Sequence, residues 1–333
     1  MTVRGPIEAS NMGKSLIHEH ILLDWIGANK TGYHRWENDS VIEQVRPYLK
    51  EAKKFGLTTF FECTPTYLGR DPLLLYKLSH ATNLNFITNT GFYGARNNKY
   101  IPEFAFEASA EQIAKIWIGE FKKGIDDTDI RPGFIKIGVQ GANGLSAMHK
   151  KLVRAAALTH LKTGLTIVSH TGIDNLALAQ LEILKEIGVS PEAFVWAHAQ
   201  RGTLEGHLKA ARLGAWISLD NIRSGLSPTN KNKKNIQKYP RILSQLKNQD
   251  NIREYCNILL ELKNKGILNH VLISHDAGWY TAGEPNGGAI RGYTDIFTHL
   301  IPMLEINGFD EQDIDMLLRE NPQKAFSLQV RGL

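Results

Sequence analysis

Five short segments carry residues able to ligate metal ions. They are His18-Glu19-His20, Lys136 within Phe134-Ile135-Lys136-Ile137-Gly138, Ser169-His170-Thr171, Ala197-His198-Ala199 and Ser274-His275-Asp276. Imidazoles and carboxylates hold divalent cations such as zinc, cobalt, manganese or iron with little discrimination among them. In a strand, residues at i and i+2 share a face, so His18 and His20 can grip one ion while Glu19 points away. The same alternation turns His275 away from the face of Asp276, toward a packing role. One His-x-His triplet is weak evidence. With 12 histidines in 333 residues, it arises by chance roughly 0.4 times per chain. The weight lies in five such segments, each at the end of a strand-like run.

Lys136 is the most informative member. A lysine inside an apolar strand is costly as a lone cation. It can be neutralised by a buried salt bridge, with Asp276 as partner. Alternatively, the neutral amine reacts with carbon dioxide, and the two oxygens of the carbamate bridge two cations about 3.5–4 Å apart.

The elements that must position these groups alternate regularly. Strand-length apolar runs are Ser15–Leu22, Thr58–Cys63, Asn85–Thr90, Gly133–Val139, Thr166–His170, Phe194–His198, Trp216–Leu219 and His270–Ser274. Between them lie amphipathic helical patterns such as Val41–Phe55, where Ile42, Val45, Leu49, Ala52 and Phe55 recur at helical spacing. Strand–helix alternation implies parallel strands with right-handed crossovers. Eight units favour an α/β fold of the (β/α)8 TIM-barrel type over an open doubly wound sheet, and no GxGxxG follows the first strand. The active site is then expected at the C-terminal mouth, where barrel enzymes place their chemistry. The whole chain, 1–333, reads as one domain. Two further helices, over Thr294–Asn307 and Glu311–Glu320, are expected after the eighth strand.

Composition sets the outer limits. Hydrophobic residues make up 42% and charged residues 22%, an ordinary balance for a globular protein. No apolar run reaches about 18 residues, so no transmembrane helix is expected. Met1-Thr2-Val3-Arg4-Gly5-Pro6 holds no signal-peptide core. That favours the cytoplasm, with a periplasmic or secreted origin open to a chain whose leader has been removed. Cys63 and Cys256 are too few for a disulfide framework and read as buried free thiols. The net charge is +5, yet residues 221–249 hold seven cations and no acid: Arg223, Lys231, Lys233, Lys234, Lys238, Arg241 and Lys247. The excess is therefore local, which argues against a nucleic-acid-binding face. This basic stretch follows the seventh strand. It is either a solvated excursion or a source of positive potential that favours an anionic substrate.

The five segments, in this order, resemble the phosphotriesterase family of the amidohydrolase superfamily, including its lactonase branch. Gly69-Arg70-Asp71, Thr90-Gly91-Phe92-Tyr93 and the run from Glu320 to Ser327 extend the resemblance over essentially the whole chain. The resemblance implies that His18, His20 and Asp276 hold a buried α metal and that His170 and His198 hold a more exposed β metal. Carboxylated Lys136 would bridge two divalent ions, zinc first. It also implies a hydroxide shared by the metals as nucleophile, with Asp276 as the catalytic proton acceptor. The expected substrate is a small lactone or related carboxylic ester, with phosphotriester hydrolysis as a side activity. A homodimer is the oligomer such a resemblance suggests.

For substrate recognition the candidates are Tyr93, Trp279, Arg223 and Arg291, all in segments that follow strands. Lactonases of the family often carry Asp-Arg after strand seven. Here the pair is Asp220-Asn221, with Arg223 two positions on, which argues against long-acyl homoserine lactones. An amidase or phosphodiesterase on the same scaffold is the alternative. A mononuclear deaminase, or a barrel that only binds, would leave Lys136 without a role.

Overall fold

The computed structural model describes residues 1–142, 144–224 and 240–333, and of 240–250 only the backbone. Most of the basic stretch anticipated over 221–249 lies outside the described residues. The strands are β1 (Lys14–Glu19), β2 (Leu22–Leu23), β3 (Leu57–Glu62), β4 (Asn85–Ile87), β5 (Asn89–Thr90), β6 (Phe134–Gly138), β7 (Thr166–His170), β8 (Phe194–Ala197), β9 (Trp216–Leu219), β10 (Val271–Ile273) and β11 (Tyr280–Thr281).

All strand pairs are parallel. The ladder runs β1-β3-β4 and then β5-β6-β7-β8-β9-β10. β4 and β5 are halves of one strand interrupted at Thr88, whose carbonyl accepts from Gly133 N at 2.8 Å. The two ends of the ladder meet, because Asp276 N donates to His18 O at 3.0 Å and His20 N to Ala277 O at 2.8 Å. Eight parallel strands thus surround a common axis, an α/β barrel, with helices such as Asn38–Lys54, Ala147–Thr163 and Asp174–Ile187 outside.

Alternation along the strands explains which groups face inward. Ile17, Phe61, Phe134, Val168, Val195 and Leu272 fill the barrel interior, closed below by Met12 and Phe326. Leu16, Phe60, Ile135, Ile167, Trp196 and Ile273 pack outward against the helices. Two residues beyond Phe134 and Val168, the same face carries Lys136 and His170. Cys63 and Cys256 are buried free thiols.

The first strand departs from a simple reading. The apolar run to Leu22 breaks after Glu19, and Leu22–Leu23 pairs with Tyr280–Thr281 as a lip beyond the barrel. Within β1 the register slips: Leu16 pairs with Phe60 and Glu19 with Glu62, which leaves an extra residue on β1. This bulge lets Ile17 stay in the apolar interior while His18 turns toward the mouth.

Candidate metal centre

The C-terminal mouth gathers His18, His20, Lys136, His170, His198 and Asp276 around one cleft of about 140 Å3, with Tyr93 and Trp279 on its wall. One ligand atom from each of His18, His20 and Asp276 lies within 4.8 Å of the others, and the same holds for His18, His198 and Asp220. His20 Nε2 stands 3.2 Å from Asp276 Oδ1. The His170 and His198 rings are 4.2 Å apart, and those of His18 and His198 5.0 Å.

Lys136 is 2% exposed, and its Nζ faces His18 Nε2 at 2.8 Å. Among the described residues no carboxylate pairs with it, and the Asp276 carboxylate turns to His20 instead. The buried salt bridge open to the sequence is therefore not the arrangement found. Burial, and next the Lys136 charge, push the His18 imidazole down to about 4. Burial and the neighbouring His198 likewise push His170 well below the usual histidine range. Burial would raise Asp276, but the His20 hydrogen bond and the His198 and His18 charges outweigh it and hold it at about 2. A neutral His18 and His170 beside an ionised Asp276 are forms that ligate a divalent cation, so the donor set fits a metal.

A shell of hydrogen bonds fixes the imidazoles. Asp220, fully buried at the end of β9, takes His18 Nδ1 at 2.8 Å on Oδ2 and His198 Nδ1 on Oδ1. Its Oδ2 also accepts from His198 N at 3.1 Å and Ser218 Oγ at 3.0 Å. His20 Nδ1 meets Thr64 Oγ1 at 2.8 Å. Two glycines let the backbone close in. Gly91, at φ +126°, and Gly278, at φ +95°, lie where a Cβ would collide with the carbonyl oxygens of Lys136 and His20 respectively.

Glu19 turns away from the cleft and pins the end of the eighth strand. Its Oε1 accepts from Ser274 Oγ at 2.8 Å, His275 N at 2.9 Å and His275 Nδ1 at 2.8 Å, and its Oε2 from Ala277 N at 2.9 Å. His275 spends its other nitrogen on Ile296 N at 3.0 Å. Replacing Glu19 with Gln sets an amide NH2 against one of these donors and removes the charge. The expected cost is about 2 kcal/mol, read as a lowered urea midpoint with unchanged slope.

Of the four substrate candidates, the cleft contains Tyr93 and Trp279. The Tyr93 hydroxyl is 3.3 Å from His170 Nδ1, and Trp279 Nε1 is buried without a partner among the described residues. Arg291 is spent elsewhere: its guanidinium donates to Asp276 O at 3.1 Å and His275 O at 3.4 Å, which ties down the loop. Arg223 is half-buried; burial, and then Arg291, lower its pKa. Neither arginine lines the cleft. Trp25, Arg96 and Arg201 do, and they were not singled out from the sequence. Arg201 follows His198 by three residues and Arg96 follows Tyr93 by three, so position just beyond a candidate site residue was the signal available.

A parallel α/β barrel with convergent imidazoles, a lysine and a carboxylate at its C-terminal mouth belongs to the class of metal-dependent barrel hydrolases. The sequence model of the Phosphotriesterase family matches residues 1–326, and the chain belongs to that family. It is 28% identical over 316 residues to the Phosphotriesterase homology protein of Escherichia coli, covering 94% of this chain and 98% of that protein. It is 29% identical over 330 residues to the Aryldialkylphosphatase of Saccharolobus solfataricus, covering 96% and 97%. It is also 28% identical over 356 residues to the N-acetyltaurine hydrolase of Rattus norvegicus, covering 97% and 96%. Among solved structures, the Escherichia coli homology protein complexed with phosphate in its active site superposes with a TM-score of 0.74 at 27% identity, over 95% of this chain and 99% of that one. A mutant of the organophosphorus hydrolase of Deinococcus radiodurans gives a TM-score of 0.81 at 24% identity, over 98% and 96%, a likeness of fold. No helix among the described residues is long and apolar enough to cross a membrane.

Proposed function

We propose that this chain hydrolyses a lactone or related carboxylic ester of short acyl length, with weaker action on phosphotriesters. In this reading His18, His20 and Asp276 hold one divalent ion, His170 and His198 a second, and carboxylated Lys136 joins them. The observation that carries it is Lys136 itself, a buried amine with an imidazole at 2.8 Å and no acid partner among the described residues. As a carbamate it becomes the anion such a site requires.

A metal pair bound by these residues would supply an acidified water and Lewis-acid polarisation of a C=O or P=O oxygen. The protein supplies the rest. Asp276, held ionised and turned into the cleft, is placed to accept the water's proton and return it to the leaving group. Burial raises the Tyr93 phenol, which therefore stays protonated as a hydrogen-bond donor over the cleft. Trp279 walls the site. A cleft of about 140 Å3 is smaller than the roughly 300–1,000 Å3 of drug-sized sites, which favours a short acyl group.

The likeness to the N-acetyltaurine hydrolase over 97% of this chain supports a second reading, an amidase acting on a short acyl amide. The test is a panel of short lactones, acetate esters, acetamides and a phosphotriester, with metal and bicarbonate supplied. Acid release from lactones or esters is expected, from protein holding close to two metals per chain. Amine release with esters at background would move the assignment to the amidase. A panel wholly at background would end both.

A further inference from the structure

Arg96 and Arg201 line the cleft together with Tyr93, the first on the segment after β5 and the second on the turn after β8. Both are exposed, and among the described residues neither guanidinium has a carboxylate partner or a hydrogen bond. The Arg96 guanidinium lies 4.7 Å from the centre of the Trp25 ring, and Trp25 in turn packs edge-on against Trp279 at 6.4 Å. The Arg96 amide donates to Gln140 Oε1, and Gln140 Nε2 to Asn97 Oδ1 at 2.9 Å, so the segment is anchored to the end of the next strand. Arg201 lies against Gly172, where a Cβ would press on its Cδ at 3.3 Å.

A stacked guanidinium keeps its N–H edges free, and an arginine fork without an acid is suited to carboxylate, sulfonate or phosphate oxygens. Apart from Lys136, whose amine becomes a carbamate in the proposed reading, the charged groups lining the cleft among the described residues are Arg96, Arg201 and Asp276. The reacting bond must sit at the metal ligands in the depth of the cleft. The arginines are its exposed lining, where the far end of a short substrate would emerge.

We propose that Arg96 and Arg201 form an anion-recognition subsite, so that the substrate is a small acyl compound whose tail beyond the scissile bond ends in a carboxylate, sulfonate or phosphate. This rests on the hydrolytic reading of the cleft. It places the selecting charges on the segments after β5 and β8 rather than on Arg223, Arg291 or the basic stretch after β9. The metals set the chemistry, and the two arginines choose among the molecules that could undergo it.

The experiment compares 3-acetoxypropanoate with its neutral near-isostere 3-acetoxypropanamide, using metal-loaded protein. In wild type kcat/KM should favour the anion by about 10-fold or more, chiefly through KM. In Arg96→Asn and Arg201→Gln the ratio should fall severalfold each, and in the double variant to about 1, with partial recovery in Arg96→Lys. Asparagine is chosen at 96 because that residue has φ 55°, a conformation it tolerates. Binding is read separately by calorimetry with 5-oxohexanoate and 5-oxohexanamide, ketones that replace the ester oxygen by CH2 and cannot be hydrolysed. The same preference and the same loss are expected. If neither ester is turned over but the ketone acid still binds through the arginines, the ester-hydrolase reading fails and the subsite stands. Equal treatment of acid and amide by wild type, or a ratio unchanged in the double variant, overturns the subsite.

Discussion

Lys136→Ala is expected to lower kcat/KM by about three orders of magnitude, on the order of 4 kcal/mol of barrier, and to lower bound metal with it. The argument is one of charge. His18, His20, His170 and His198 are neutral ligands when they bind a cation, which leaves Asp276 as the only anionic member of the set. Two divalent ions beside a single carboxylate would repel one another strongly in a buried site. A carbamate on Lys136 supplies the second anion, and alanine removes it. Propionate or acetate should restore part of the metal content and part of the activity, because either can enter the vacated channel as a carboxylate. Removing a buried, unpaired lysine should not unfold the barrel, since apolar replacements of buried charge are often tolerated. Lys136→Met, with matched volume, serves as the stability control. A mononuclear enzyme would keep its metal and most of its rate in Lys136→Ala, and that outcome rejects the binuclear reading.

The strands and the polar residues at their ends were legible because both are local. A buried parallel strand reads as an apolar run, and a lysine or histidine at its end stands out against that background. What was not legible depends on pairing across the chain. The bulge that separates Ile17 from His18 is visible only when β1 is laid against β3. The pairing of Leu22–Leu23 with Tyr280–Thr281 joins segments from opposite ends of the sequence. Loop arginines posed the hardest case. Arg291 and Arg201 both follow strands that end in candidate ligands, but backbone carbonyls occupy Arg291 while Arg201 turns to the cleft. No periodicity governs the direction of a loop side chain, so spacing could not separate them. Asp220 was recognisable as an acid at a strand end. That it holds two histidines at once depends on contacts spanning 202 residues in one case.

That double hold makes Asp220→Asn the second large expected effect. In the wild type both carboxylate oxygens accept, one from His18 Nδ1 and the other from His198 Nδ1, so each imidazole carries its proton on Nδ1. Each Nε2 is then left with its lone pair free, as a metal ligand requires. Asparagine keeps the shape but offers one acceptor and one donor. Whichever imidazole meets the NH2 must present a bare Nδ1, which moves its proton to Nε2 and blocks ligation. Because His18 and His198 are assigned to different ions, the loss should reach whichever site takes the wrong tautomer. Metal affinity and kcat/KM should fall about 10- to 100-fold. Thr64→Val offers the contrast, since Thr64 Oγ1 meets the single imidazole of His20, at 2.8 Å from its Nδ1, and otherwise donates to the Leu22 carbonyl at 3.0 Å. It should weaken one ion and spare the other. Competition against a chelator, followed by two-site fitting, separates the cases. An Asp220→Asn protein that holds both ions as tightly as wild type would show that the imidazoles are oriented by packing and not by this carboxylate.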